Sequence, residues 1–282
     1  MVGVARPVRF SDRPWFDRCP PFPASGEKKE WMPVFVSATT RCFSGSSFRE
    51  TLTRLSDLEF TAVEIVLDEE NGPLRPSEAV SDLDRVILEC RDTMRMSVAA
   101  YGLDTPARGE EFFRQFAAVC KLAKATQVVT LVAHASELGT PFNEEIDRLK
   151  RMVGIATSEG VVVALLTETG TMTESPDTAA VLCKTVKGLQ LCLDPSHFIY
   201  QRESQASMEP VLPYVRHVRL RDTTAEKLQV QVGQGNVEYG KLVAHLGRFE
   251  YDKALSVDVL PQDDIDQNAE LRKFRLLLES LL

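Results

Sequence analysis

The sequence predicts a single-domain (β/α)8 barrel, and three observations carry that expectation. From Met32 onward, short apolar runs alternate with longer amphipathic stretches, the pattern of strand–helix units on a parallel sheet. Eight such runs fall within about 250 residues, the count and length that close a barrel. The turn after the first run, "TTRCFSGSS", lacks the Gly-rich dinucleotide fingerprint that a doubly wound sheet usually carries there.

The runs are "VFVSA" (34–38), "AVEIVL" (62–67), "MSVAAY" (96–101), "VVTLVA" (128–133), "VVVALLT" (161–167), "LQLCLD" (189–194), "RHVRL" (216–220) and "ALSVDV" (254–259). Between them lie helix candidates. "FRETLTRLSDL" sets Phe48, Leu52, Leu55 and Leu58 at helical spacing. "EEFFRQFAAVCKLAK" puts Phe112, Phe113, Phe116, Val119, Cys120 and Ala123 on one face. "NEEIDRLKRMVGIATSEG" is expected to open on an Asn143 N-cap followed by two acids and to close on Gly160. "YGKLVAHLGRF" carries His245 into a helix, and "NAELRKFRLLLESLL" is the last one. "LQVQV" (228–232) alternates like a short strand and is expected to form a hairpin lid.

Composition narrows the function classes. The 282 residues are 44% hydrophobic and 26% charged, as in an ordinary soluble protein with a large core. No run approaches the roughly 20 apolar residues of a membrane span. A net charge of −8 offers no long-range attraction to phosphate backbones and argues against nucleic acid. The six cysteines show no CxxC pair and no zinc spacing, which suits buried, reduced thiols and a cytoplasmic location. There is neither a P-loop nor a GxSxG motif.

Residues 1–31 read differently, rich in Pro, Arg and Asp without an apolar period or the apolar core of a signal peptide. Every codon of "GEKKE" begins with two purines, as a translated ribosome-binding site would. The expected start is Met32, with the barrel over 32–282; a genuine disordered extension is the alternative.

Strand phase locates a site. In a parallel barrel alternate residues face the helices and the interior, and chemistry sits at the C-terminal strand ends. In "LQLCLD" the leucines suit the helix side, which turns Cys192 and Asp194 inward. By the same reading Ser256 and Asp258 of "ALSVDV", His217 and Arg219 of "RHVRL", and Glu64 of "AVEIVL" face inward. Glu168, one step past the fifth run, shares the parity of Ala164 and Leu166. Glu168, Asp194, Arg219 and Asp258 thus converge on one mouth, with His134, His197 and Tyr101 as further polar groups near it. Several inward charges at one barrel end more often form a site than a structural ion pair.

On these residues the chain resembles the xylose isomerase-like TIM barrel superfamily, which holds sugar-phosphate isomerases and epimerases and the family 2 AP endonucleases. The resemblance rests on Glu168 in "LLTET", Asp194 and His197 in "LDPSH", "HVRLRD" followed by "VGQGNVEYGKL", and "SVDV". It implies a divalent metal (Mn, Mg or Zn) on Glu168, Asp194 and a strand-eight acid, here Asp258, with a strand-seven histidine ligand where this chain has Arg219. A guanidinium stays protonated and cannot ligate a cation. Two readings therefore stay open. Either Arg219 swings toward substrate and the metal survives on three carboxylates, or Arg219 sits in the metal's place and there is no metal. His217 is a further candidate ligand in the first reading.

The resemblance implies Glu168, Asp258 and His197 as catalytic residues. Arg219, His134, His217, Glu64, Gly233 and Gly235 would bind substrate, the glycine amides meeting an anion. Asp222 reads as an anchor for the loop after the seventh strand. The expected function is a sugar or polyol isomerase or epimerase, working on a small sugar or sugar phosphate as a monomer or homo-oligomer. The alternative is a metal-free sugar-binding protein. An AP endonuclease fits poorly with four histidines and a negative charge.

Overall fold

Each apolar run becomes a parallel strand, with small shifts at its ends. The strands are β1 (Phe35–Thr39), β2 (Ala62–Asp68), β3 (Ser97–Asp104), β4 (Thr130–Ala133), β5 (Val162–Leu166), β6 (Gln190–Leu193), β7 (Val215–Leu220) and β8 (Ala254–Val257). They pair in sequence order, and β8 pairs with β1 to close the barrel. The molecule is a computed structural model that describes residues 34–202 and 207–282. The expectation for residues 1–31 and a start at Met32 lies outside the described residues.

The helices are α1 (Phe48–Asp57), α2 (Pro76–Ser81), α3 (Leu83–Arg91), α4 (Gly109–Ala125), α5 (Phe142–Ser158), α6 (Pro176–Thr185), α7 (Tyr239–Arg248) and α8 (Gln267–Glu279). Two of them, α2 and α3, share the β2–β3 connection. Between β6 and β7 the described residues form only 3-10 turns, Pro195–Phe198 and Leu212–Tyr214. α5 starts earlier than expected: Pro141 is its N-cap and Asn143 lies inside its first turn. Its end agrees with the expectation, since Gly160 follows with φ 73°. The hairpin expected at 228–232 reduces to one antiparallel bridge, Asp222 to Val230.

Two apolar clusters show the strand phases. The large one joins Val63, Ile65, Leu191, Leu193, Val218, Leu220 and Leu255 to helix residues such as Leu52, Phe116, Leu149 and Phe274. Tyr101 belongs to it, its hydroxyl meeting Thr126 at 3.0 Å, so it faces the helices and not the mouth. The small cluster, Ala100, Val132, Ala164, Leu166 and Cys192, lines the barrel interior. Its short side chains leave room that Arg219 fills, and Arg219 heads the largest fully buried side chains. Gly102 completes the fit, because a Cβ there would lie 2.6 Å from Arg219 Nη2. Five cysteines, Cys42, Cys90, Cys120, Cys183 and Cys192, are buried free thiols.

Candidate active site

Strand β7 projects His217 and Arg219 inward and Arg221 follows one step past its end, and these three organise the barrel's polar interior. In the lower layer Arg219 donates through Nε and Nη2 to Glu64 Oε1 at 2.8 and 2.5 Å. His217 Nε2 lies 2.8 Å from Glu64 Oε2. Burial would push the Glu64 carboxyl up, but the charges of Arg219 and His217 and their hydrogen bonds bring it down to about 2. With its carboxylate ionised, Glu64 holds Arg219 protonated in turn. All three side chains are buried, Arg219 being 1% exposed.

This placement corrects both expectations for Arg219. It neither reaches the mouth nor sits among Glu168, Asp194 and Asp258, because Glu64 ties it down in the layer beneath. Glu64 and His217 are likewise buried and engaged in this layer. Neither is presented to a metal.

The guanidinium among the carboxylates belongs to Arg221. Its Nη2 lies 3.1 Å from Asp194 Oδ2 and 2.6 Å from Asp258 Oδ2. Asp258 also accepts from Thr39 Oγ1 at 2.7 Å, and Arg41 Nε stands 3.9 Å away. Burial raises the Asp258 carboxyl, yet Arg41, Arg221 and Arg219 hold it far below the usual carboxylate range. Asp258 is fully buried and its oxygens are engaged, so it is not free to exchange a proton with a substrate. Asp194 caps the "PSH" turn, accepting from Ser196 N at 3.0 Å.

At the rim, Glu168 and His134 form the accessible pair, their side chains 28% and 30% exposed, with His134 Nδ1 2.7 Å from Glu168 Oε2. Burial acts to raise Glu168, and His134, His197 and Arg219 outweigh it and bring it to about 2. The carboxylate is therefore ionised at neutral pH, and His134 Nδ1 carries the shared proton. His197 Nδ1 accepts from Thr169 N at 3.2 Å, which assigns its proton to Nε2, 3.7 Å from Asp194 Oδ2. Burial, opposed by Asp194, lowers the His197 imidazole.

The loop carrying His134 is braced from α5. Buried Glu145 accepts from Ser136 N at 3.1 Å and from Arg148 Nε at 2.8 Å, and Arg148 Nη2 donates to the His134 carbonyl at 2.9 Å. His134 lines a cleft of about 590 Å³ with Asp104, Thr105, Phe112, Ser136 and Thr171. A second cleft of about 310 Å³, with Thr40, Arg41, Asp68 and Asn71, opens over β1 and β2.

Gly233 and Gly235 do not offer their amides to an anion. Both donate to Asp222 Oδ2, at 2.7 and 3.0 Å, so Asp222 anchors this loop as expected. At Gly235 any Cβ would collide with the Asp222 carboxylate. His245 lies on α7, half-buried. Sequence reasoning missed Arg221, Thr39 and the Glu145–Arg148 brace. Arg221 carried a signal, since it continues the inward parity of 217 and 219 one step past the strand.

A divalent ion does not fit this mouth. The oxygens that would hold it, on Asp194 and Asp258, already face a permanent cation. Among the described residues no group of three or more His, Cys, Asp or Glu side chains is arranged to hold a metal.

Fold and mouth together define a (β/α)8 barrel with acids at the ends of its fifth, sixth and eighth strands. The chain belongs to the xylose isomerase-like TIM barrel family, whose sequence profile matches residues 52–275. Curated protein sequences give no match. Among solved structures it is similar to a xylose isomerase domain protein from Planctomyces limnophilus, with TM-score 0.69 and 17% identity over 89% of this chain and 97% of that one. D-allulose 3-epimerase from Methylomonas sp. aligns with TM-score 0.69 and 13% identity over 89% and 99%. A xylose isomerase-like TIM barrel protein from Mycobacterium smegmatis, solved in complex with magnesium, aligns with TM-score 0.68 and 16% identity over 90% and 98%.

Proposed function

We propose that the protein moves a proton at a carbon next to the carbonyl of a small sugar, polyol or sugar phosphate, as an isomerase or epimerase without a metal in its carboxylate cluster. The observation that carries this is Glu168, an ionised and accessible carboxylate hydrogen-bonded to His134 beside the large cleft. Family membership and the epimerase among the similar structures support the class. A carboxylate held near 2 is a weak base, so the reaction depends on stabilising the oxyanion that develops when the proton leaves. His134 Nδ1–H, 2.7 Å from Glu168 Oε2, is the donor placed at that spot. With Asp258 engaged, Glu168 is the single accessible carboxylate base among the residues expected to act. One base suffices for a proton shift on one face of an enediol, which favours isomerisation over two-base inversion. The same engagement of Asp258 favours a second reading, a barrel that binds sugars without turning them over.

Deuterium incorporation from D2O into a panel of ketoses and ketose phosphates, followed by NMR, tests the assignment. Wild type should exchange one substrate proton, and Glu168→Gln should lose at least about a hundredfold of that rate while keeping its fold. Exchange undiminished in Glu168→Gln sinks the catalytic role. Calorimetric binding of a panel member with no exchange moves the protein to the second reading.

A further inference from the structure

The Asp194–Arg221–Asp258 cluster has the composition of a metal site in which the cation is an amino acid. Both carboxylates are fully buried, and Arg221 Nη2 touches one oxygen of each. Asp194 Oδ2 makes no hydrogen bond, and neither does Arg221 Nε, so these atoms are held by charge and packing. We infer that Arg221 is a built-in counter-cation: its guanidinium takes the place of a divalent ion between Asp194 and Asp258, and removing it opens a metal-binding site in this chain. The inference stands on these three side chains and does not need Glu168 to be catalytic.

Two ionised carboxylates in the interior require a compensating cation, because an uncompensated buried charge is strongly unfavourable. A guanidinium supplies one positive charge that no pH in use removes. Its acceptors stand roughly 3 Å from its nitrogen, whereas an Mg²⁺ or Mn²⁺ ion draws carboxylate oxygens to about 2.1 Å and fills its remaining positions with water. With the arginine shortened, the vacated volume admits an ion and its waters, and the two oxygens close in by under an ångström. In the wild type a second cation would sit against the guanidinium, so the arginine excludes metal while it compensates the charge.

Manganese titrations by electron paramagnetic resonance, paired with thermal melts, test this on wild type, Arg221→Met, Arg221→Gln and Arg221→Lys. Wild type should show no saturable Mn²⁺ binding and a melting temperature that Mn²⁺ leaves unmoved. Arg221→Met and Arg221→Gln should melt lower in chelator, bind one Mn²⁺ with a micromolar dissociation constant, and regain most of the lost melting temperature. Arg221→Lys keeps a cation and should bind none. Adding Asp258→Asn to Arg221→Met should abolish the new site. Stoichiometric Mn²⁺ binding by wild type overturns the inference. So does a folded neutral variant that binds no better than wild type, or a site that survives Asp258→Asn. Failure of both neutral variants to fold at saturating Mn²⁺ also overturns it, because the ion then does not replace the guanidinium.

Discussion

Taking a guanidinium and a carboxylate out of water costs several kcal/mol for each ion, which their attraction offsets only with good geometry. Arg219 and Glu64 meet that condition through two hydrogen bonds to one oxygen, with His217 on the other. Breaking the pair from one side is therefore worse than replacing it. Arg219→Met should lower stability in urea by about 3–5 kcal/mol, and the double variant with Glu64→Leu should recover most of it. Gly102→Ala pushes a methyl against Arg219 Nη2, where the layer has no slack, and should cost about 1–3 kcal/mol. A fully stable Gly102→Ala protein would mean that the guanidinium has room to shift. Arg219 is also where reading from sequence reached its limit. Parity turned it inward, but the partner that chose its height was Glu64, 155 positions away.

At the scale of elements, the strands were legible because burial on one face and polarity on the other leave a period of two. The phases assigned to Asp194, His217, Arg219 and Asp258 follow from that alone. Less legible were the parts without a period. "LQVQV" alternates, yet Asp222 gathers the amides of Gly233 and Gly235 into an irregular loop. Asp222→Ala strands those donors, and a cost of about 1–3 kcal/mol is expected, with faster amide exchange at both glycines. The Glu145–Arg148 brace escaped notice for a related reason. Two acids in a helix's first turn are explained by the helix dipole, and nothing local says that one of them folds back onto Ser136.

For the whole molecule, the depressed carboxylates set the acid limit. Glu64 and Glu168 titrate near 2 in the folded barrel against 4.5 ordinarily, and Asp258 is held lower still. Folded values below unfolded ones mean stabilisation that is complete above the unfolded value and lost as pH falls toward the folded one. His197 acts in the same direction, since charging a buried imidazole begins to cost stability below 6.5. Urea midpoints should therefore fall gently below about pH 6.5 and steeply between about 4.5 and 2. A midpoint unchanged down to pH 3 would show that these carboxylates are not held as described. Closure has a consequence in time as well. Thr39 and Asp258, hydrogen-bonded across the β1–β8 seam, stand 219 positions apart. Strand β8 must thus be made before the cluster can assemble, and non-local contacts of that kind are slow to form. A protein that stops short of its eighth strand lacks Asp258 and, with it, the carboxylate cluster.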